Sequence, residues 1–259
     1  MIIPAAWMAE AATLALAVGR LAGMVGTSPF PGNNVPTPIK VGMVLALGWV
    51  ALGSMPAANL TVDLALVGLT ASEVAVGLLI GLTFRITFAC AEVMGATFSQ
   101  SLGLTAAHVF DPMLESDDGV AGRIVTMLAM LLVIGLGAHR IAIAYVMQSF
   151  HALPVGHAVE VTQASPLLVA YAGEAIAAGV RLALPVVAVG LAVQVTLALV
   201  ARASPSLQVF SVGMALSVGA GLLAMIGGMS DMTMGIAAEL NNLGPRLEHV
   251  LEAVGAHAP

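Results

Sequence analysis

The chain has 259 residues, of which 59% are hydrophobic and 8% charged, against about 25% charged in a soluble domain. Eight basic and fourteen acidic side chains cannot coat a globule of this size, so an ordinary soluble enzyme is excluded and bilayer or neighbouring protein must cover much of the surface. The formal charge of −6, with Lys40 as the lone lysine beside seven arginines, leaves no basic patch for phosphates and argues against nucleic acid as a partner.

From the N-terminus, no basic residue precedes Arg20, so the opening does not read as a cleavable signal. Met1 to Trp7 reads as an interfacial start, with the Trp7 ring suited to the headgroup layer. Six apolar stretches follow and are measured against the roughly 20 residues that span a bilayer as helix. They are Ala11–Gly26, interrupted by Arg20; Val41–Val62, free of internal charge; and Leu64–Ala91, cut by Glu73 and Arg85. Ile124–His139 stops at Arg140, Ala175–Ala201 contains Arg181, and Ala203–Ser230 carries no charge. Only Val41–Val62, Leu182–Ala201 and the last stretch read as ordinary spans. A mid-helix charge costs several kcal/mol against lipid unless it is paired, hydrated or turned into protein. Arg20, Glu73, Arg85, Glu92, Arg181 and Arg202 are therefore expected to be buried polar or interface residues.

The breaks are equally legible. Thr27 to Pro38 holds four prolines in twelve residues and must be a loop. Met55–Pro56 to Thr61, the acidic Asp111–Gly119, His151–Pro166 and Ala203–Ser206 are the others, and Pro205 suits the first turn of a helix capped by Ser204. The chain is expected to be all-α: a single helical unit over 1–259, with about six long hydrophobic helices, some bent or folded as hairpins. Glycine is abundant, with 28 residues, many inside helices. Gly19 and Gly23, like Gly77 and Gly81, are spaced four apart, the pattern that lets apolar helices approach closely. Glu73, Gly77, Gly81, Arg85 and Glu92 share an arc of about 120° on one helix, where Phe88 also falls.

Catalytic parts are missing. There is no phosphate loop, G-x-S-x-G elbow, C-x-x-C pair or H-E-x-x-H helix, and no cofactor is expected. His139, His151 and His157 are spaced 12 and 6 apart, which puts no two on adjacent turns of one helix, so no metal site is expected. The lone Cys90 reads as a packing residue.

Several segments, in order, resemble the FliR/SctT family, the flagellar biosynthesis protein FliR and its injectisome counterpart in the type III export gate. Gly19-Arg20, Ser28-Pro29-Phe30-Pro31-Gly32, Val35-Pro36 and Lys40 look like its first-helix arginine, proline-glycine loop and start of helix two. Glu73, Gly77 and Gly81, then Glu92 and Gly95, are similar to its glutamate-glycine helix, and Asp111-Pro112 to its central D-P. Gly137-Ala138-His139, then Ser149-Phe150 through Leu153-Pro154-Val155-Gly156, resemble its "G-x-H…S-F…L-P-x-G" run. Arg202, Pro205, Leu207, Phe210 and Gly213 match its "R-x-x-P-x-L-N-x-F-x-x-G", with Gln208 in the asparagine position.

The resemblance implies a noncatalytic subunit of the bacterial inner membrane, in the flagellar basal body. It would build a helical gate with FliP- and FliQ-like subunits, with FlhB- and FlhA-like partners, and pass unfolded export substrates. It implies helix-packing roles for Gly19, Gly23, Gly77, Gly81, Pro205, Phe210 and Gly213. It also implies a plug in the central loop, residues 105–119, where Val109, Phe110, Asp111, Pro112, Met113 and Leu114 would close the channel. Bulky deformable side chains such as Phe110 and Met113 exclude ions yet yield to a moving chain. The competing readings are a secondary transporter, which predicts a repeat the sequence does not display, and the injectisome counterpart.

Overall fold

A computed structural model of the chain describes residues 5–32, 35–53, 55, 64–102, 119–156, 161–203 and 209–255, apart from a few side chains at helix starts. The described residues are helical, without a strand: α1 (Ala5–Thr27), α2 (Thr37–Leu52), α3 (Leu64–Ser101), α4 (Gly119–Gly135), α5 (Ala138–Ala152), a 3-10 turn (Val161–Ala164), α6 (Ser165–Ala203), α7 (Val209–Gly227), α8 (Met229–Asn241) and α9 (Leu243–Gly255). Apolar runs settle into helices because backbone polar groups kept from water must bond within their own segment.

The helix ends follow local chemistry. Pro36 precedes α2 and Pro38 sits in its first turn, where a missing N–H costs nothing. Gly137 adopts a left-handed conformation, φ 72°, which glycine enters without steric penalty. It separates α4 from α5, and its carbonyl accepts from the amides of Arg140 and Ile141 at 2.8 and 3.1 Å. The predicted stretch Ile124–His139 is thus two helices. Gly228 parts α7 from α8 while keeping local bonds, with its amide on Ala224 O at 2.9 Å. Gly122 N, in the first turn of α4, donates to Ser99 Oγ of α3 at 3.0 Å.

Two boundaries differ from the sequence reading. α2 ends at Leu52, so its 16 residues cover about 24 Å, short of the roughly 30 Å of hydrocarbon. The expected span Val41–Val62 is not one continuous described helix. α6 starts at Ser165, with Pro166 in its first turn, and so extends ten residues before Ala175. Also, α5, α8 and α9 are helices that a search for unbroken apolar runs does not count, because polar residues recur along them. Among the described residues, three helices are long and apolar enough to cross a membrane (Ala9–Thr27, Leu66–Ser101 and Thr162–Ala203), or five spans if two bent pairs each count as one. This is a polytopic helical architecture.

The chain forms two compact units. The first gathers Met1–Thr87, Gly137–Ala172 and Asn241–Pro259; the second gathers Phe88–Leu136 and Gly173–Leu240. In the first, Leu16, Leu21, Ile80, Phe84, Leu153, Leu243 and Leu247 are buried, and α1 and α2 pack where Gly48 meets Val18. In the second, Gly95 of α3 lies on Gly122 of α4, and Gly179 of α6 lies on the backbone of Cys90 and on Val93. Cys90 is a buried thiol, in keeping with its expected packing role.

Candidate functional site

Arg20 is a fully buried arginine in α1, and Glu73 of α3, 1% exposed, is buried beside it. A glycine seam makes the meeting possible. A Cβ on Gly77 would collide with the Arg20 carbonyl, one on Gly23 with the Val74 carbonyl, and one on Gly81 with Thr27 and Met24. Only bare backbone lets α1 and α3 come this close. Gly19 lies on the same seam, where a Cβ would make ordinary contact, 3.4 Å, with Thr70 and Val74.

An arginine carries five N–H donors, and here all five have acceptors. Nε donates to Glu73 Oε2 at 2.7 Å, and Nη2 reaches the same oxygen at 2.6 Å. Nη2 also donates to the Leu153 carbonyl at 2.9 Å, while Nη1 donates to Ser149 O at 2.9 Å and Ser149 Oγ at 3.0 Å. The Phe150 ring lies 4.6 Å from the guanidinium carbon. Glu73 Oε1 accepts from Gly156 N at 3.1 Å, and Gly156 has φ 90°, a region that favours glycine. The run Ser149, Phe150, Leu153 and Gly156, singled out in the sequence with no role attached, therefore forms the cage around the ion pair. Three separate stretches, α1, α3 and the end of α5 with its following loop, are tied at one point. With every donor answered and both side chains shut away from water, the arrangement suits a structural lock rather than proton transfer or ligand binding.

A second buried guanidinium escapes the sequence reading. Arg246 of α9 is 5% exposed, donates from Nη1 to Thr87 Oγ1 at 3.3 Å and lies 5.3 Å over the Tyr171 ring. The Tyr171 hydroxyl pairs with His249 Nδ1 at 3.1 Å. A signal is present in the sequence: Leu243, Arg246, Leu247, Val250 and Val254 fall on one helical stripe and all are buried, which places Arg246 among the inward residues.

The other singled-out charges lie elsewhere. Arg85 and Arg181 are exposed on this chain, as is Arg202, and Glu92 is half-buried. The arc on α3 therefore divides: Glu73, Gly77 and Gly81 face α1, whereas Arg85 points outward. Gly213 packs toward Leu197, which a Cβ at this glycine would approach to 3.1 Å. Phe210 lies in α7, and its side chain, Pro205 and the plug residues Val109 to Leu114 lie outside the described residues. His139 and His151 sit near opposite ends of α5, with the His139 ring 5.1 Å from Phe30. Among the described residues no three His, Cys, Asp or Glu side chains gather as a metal site.

The remaining feature is bare apolar surface. Only 17% of the most apolar window of Thr162–Ala203 is buried, and Val169, Ile176, Leu184, Leu191, Val195 and Leu199 are exposed along it. Its α-helical part, 39 residues, is about 58 Å long, nearly twice the hydrocarbon thickness. Exposed Arg181 stands near its middle.

Known proteins share this sequence along most of its length. The model of the family described as bacterial export proteins, family 1, matches residues 11–243. The flagellar biosynthetic protein FliR of Caulobacter vibrioides is 30% identical over 228 residues, covering 85% of this chain and 89% of the relative. The protein of the same name from Escherichia coli K12 is 28% identical over 211 residues, covering 80% and 81%. That of Aquifex aeolicus is 24% identical over 245 residues, covering 93% and 94%.

Proposed function

Because the chain belongs to the bacterial export proteins, family 1, we propose that it is a noncatalytic, multi-pass inner-membrane subunit of the flagellar protein export gate. With FliP- and FliQ-like subunits it builds the channel through which unfolded flagellar proteins pass, and FlhB- and FlhA-like subunits complete the apparatus. The observation that carries this reading is α6: too long for the hydrocarbon layer, bare along most of its apolar length, and charged near its midpoint. Lipid alone would penalise Arg181 by several kcal/mol, whereas neighbouring helices can cover the apolar face and answer the charge together. The flagellar name of the relatives supports the flagellar machine over its injectisome counterpart. Within this reading Arg85, Glu92, Arg181 and Arg202 meet other subunits, and Val109, Phe110, Met113 and Leu114 constrict the closed channel.

The test is co-expression with candidate FliP- and FliQ-like partners and mass measurement of the intact complex in mild detergent. A hetero-oligomer containing this chain is expected; a monomer or homo-oligomer that binds a small solute sinks the proposal. The plug is tested separately. Replacing Phe110 and Met113 by glycine raises ion leak through the assembled gate, and an unchanged leak with normal assembly removes that role.

A further inference from the structure

Within the first unit, α5 and α9 leave between them an open groove of about 510 Å³. That is the size range of ligand clefts, roughly 300–1,000 Å³. Tyr145, Gln148 and Ala152 line it from α5, and Glu248, Leu251 and Glu252 from α9. In a chain this poor in charge, two carboxylates on one groove call for a cause, and three observations make them more than a solvated helix face. They stand four residues apart, so like charges face each other on adjacent turns, which weakens a helix. Glu252 lies in the last turn of α9, where the helix dipole already presents its negative end and where no basic residue offsets it. Among the described residues neither carboxylate has a hydrogen-bond or ion-pair partner, and Arg246, the basic residue of α9, is turned inward toward Thr87 and Tyr171. The local rules of helix stability are thus broken twice at one surface without compensation among the described residues, a pattern expected where a surface serves a partner.

We propose that this groove receives a cationic helical segment of a neighbouring chain, one carrying two lysine or arginine side chains a turn apart. The two cations answer Glu248 and Glu252. The Tyr145 ring offers a face to one of them, Gln148 supplies an amide, and the small Ala152 lets a helix settle close to α5. This goes beyond the export-gate reading, because the groove selects its occupant by charge and shape whichever machine holds the chain.

The experiment places a benzophenone amino acid at Gln148 of the full chain in its native membrane, cross-links by light and maps the adduct by mass spectrometry. An adduct within a segment bearing two basic residues three or four apart is expected. It should fall at least ten-fold with E248K/E252K and return when those two basic residues are changed to glutamate in the same cells. The purified chain carrying E248Q/E252Q should unfold at an unchanged or higher temperature. A lower midpoint means the carboxylates serve the fold and overturns the proposal. An adduct to lipid, to an apolar or acidic segment, no adduct, or one indifferent to charge reversal also overturns it. An adduct to a basic segment of a protein outside the export apparatus sinks the gate reading and leaves this one standing.

Discussion

Removing the Glu73 carboxylate while keeping Arg20 should be among the most damaging single changes available in this chain. Glu73→Leu leaves a fully buried guanidinium with the Nε proton and one Nη2 proton unsatisfied, and strips Gly156 N of its acceptor. Breaking one side of a buried pair costs about 3–5 kcal/mol, because the surviving charge stays desolvated. Arg20→Met removes one charge but leaves the buried Glu73 carboxylate without its counter-ion and the Leu153 carbonyl without its donor, which puts it in the same range. The double variant Arg20→Met/Glu73→Leu buries no charge and is left mainly with the Leu153 carbonyl and Gly156 N to satisfy, at about 1–3 kcal/mol each. It should therefore lose about 2–6 kcal/mol, short of the roughly 6–10 kcal/mol to which the two single losses add, giving a coupling outside the ~0.5 kcal/mol expected of independent sites. Unfolding of the purified protein by heat or denaturant, followed by helical signal and by protease resistance of α1, reads the cycle. Single variants within about 1 kcal/mol of the parent, or a double variant equal to their sum, would refute the lock.

The remaining expectations use other parts of the molecule. On α3, Gly77→Ala drives a methyl into the Arg20 carbonyl and should cost about 1–3 kcal/mol or prevent accumulation, while Gly68→Ala on the same helix meets nothing within 4 Å and should be neutral or slightly stabilising; membrane abundance of the two variants gives the comparison. Tyr171→Phe loses the bond to His249 and should cost about 1 kcal/mol, less than Arg246→Met, which gives up a buried hydrogen bond and a ring contact; thermal midpoints rank them. Arg181→Glu should leave the isolated chain as stable as the parent, since the side chain is exposed there, yet lower recovery of the hetero-oligomer at least several-fold; equal recovery means that Arg181 meets no partner.

Much of the helical plan is readable because apolar runs and proline breaks are local signals. A first helix over Ala11–Gly26 and a proline-rich break after it can be drawn from the chain alone, although α1 begins earlier, at Ala5, and takes in Thr27, and α2 already starts at Thr37. The split at Gly137 cannot, since one glycine inside an apolar run looks like any other until its φ is known. Arg20 and Glu73 stand out as charges in apolar helices, but their pairing depends on α1 and α3 meeting, which glycine spacing suggests and does not locate. The run Ser149–Gly156 is visible as a motif, yet three of its contributions to the cage come from backbone atoms, which no side-chain pattern reveals. Arg246 is easily missed because its segment alternates charge with leucine and valine, and so never forms an unbroken apolar stretch. Exposure of Arg85 and Arg181 likewise depends on which way a helix turns, and mid-helix charge alone does not decide that.

The Arg20 lock also constrains the order in which a nascent chain can mature. Its first member emerges early, its counter-ion 53 positions later, and the amide that completes the shell at Gly156 another 83 beyond that. Until translation has passed Leu153, the guanidinium lacks its full set of acceptors, and sealing α1 against α3 away from water would strand it. The ribosome must therefore deliver α5 before the front half of the protein can close, so an interrupted product ending ahead of residue 149 should remain open and susceptible to quality-control proteolysis.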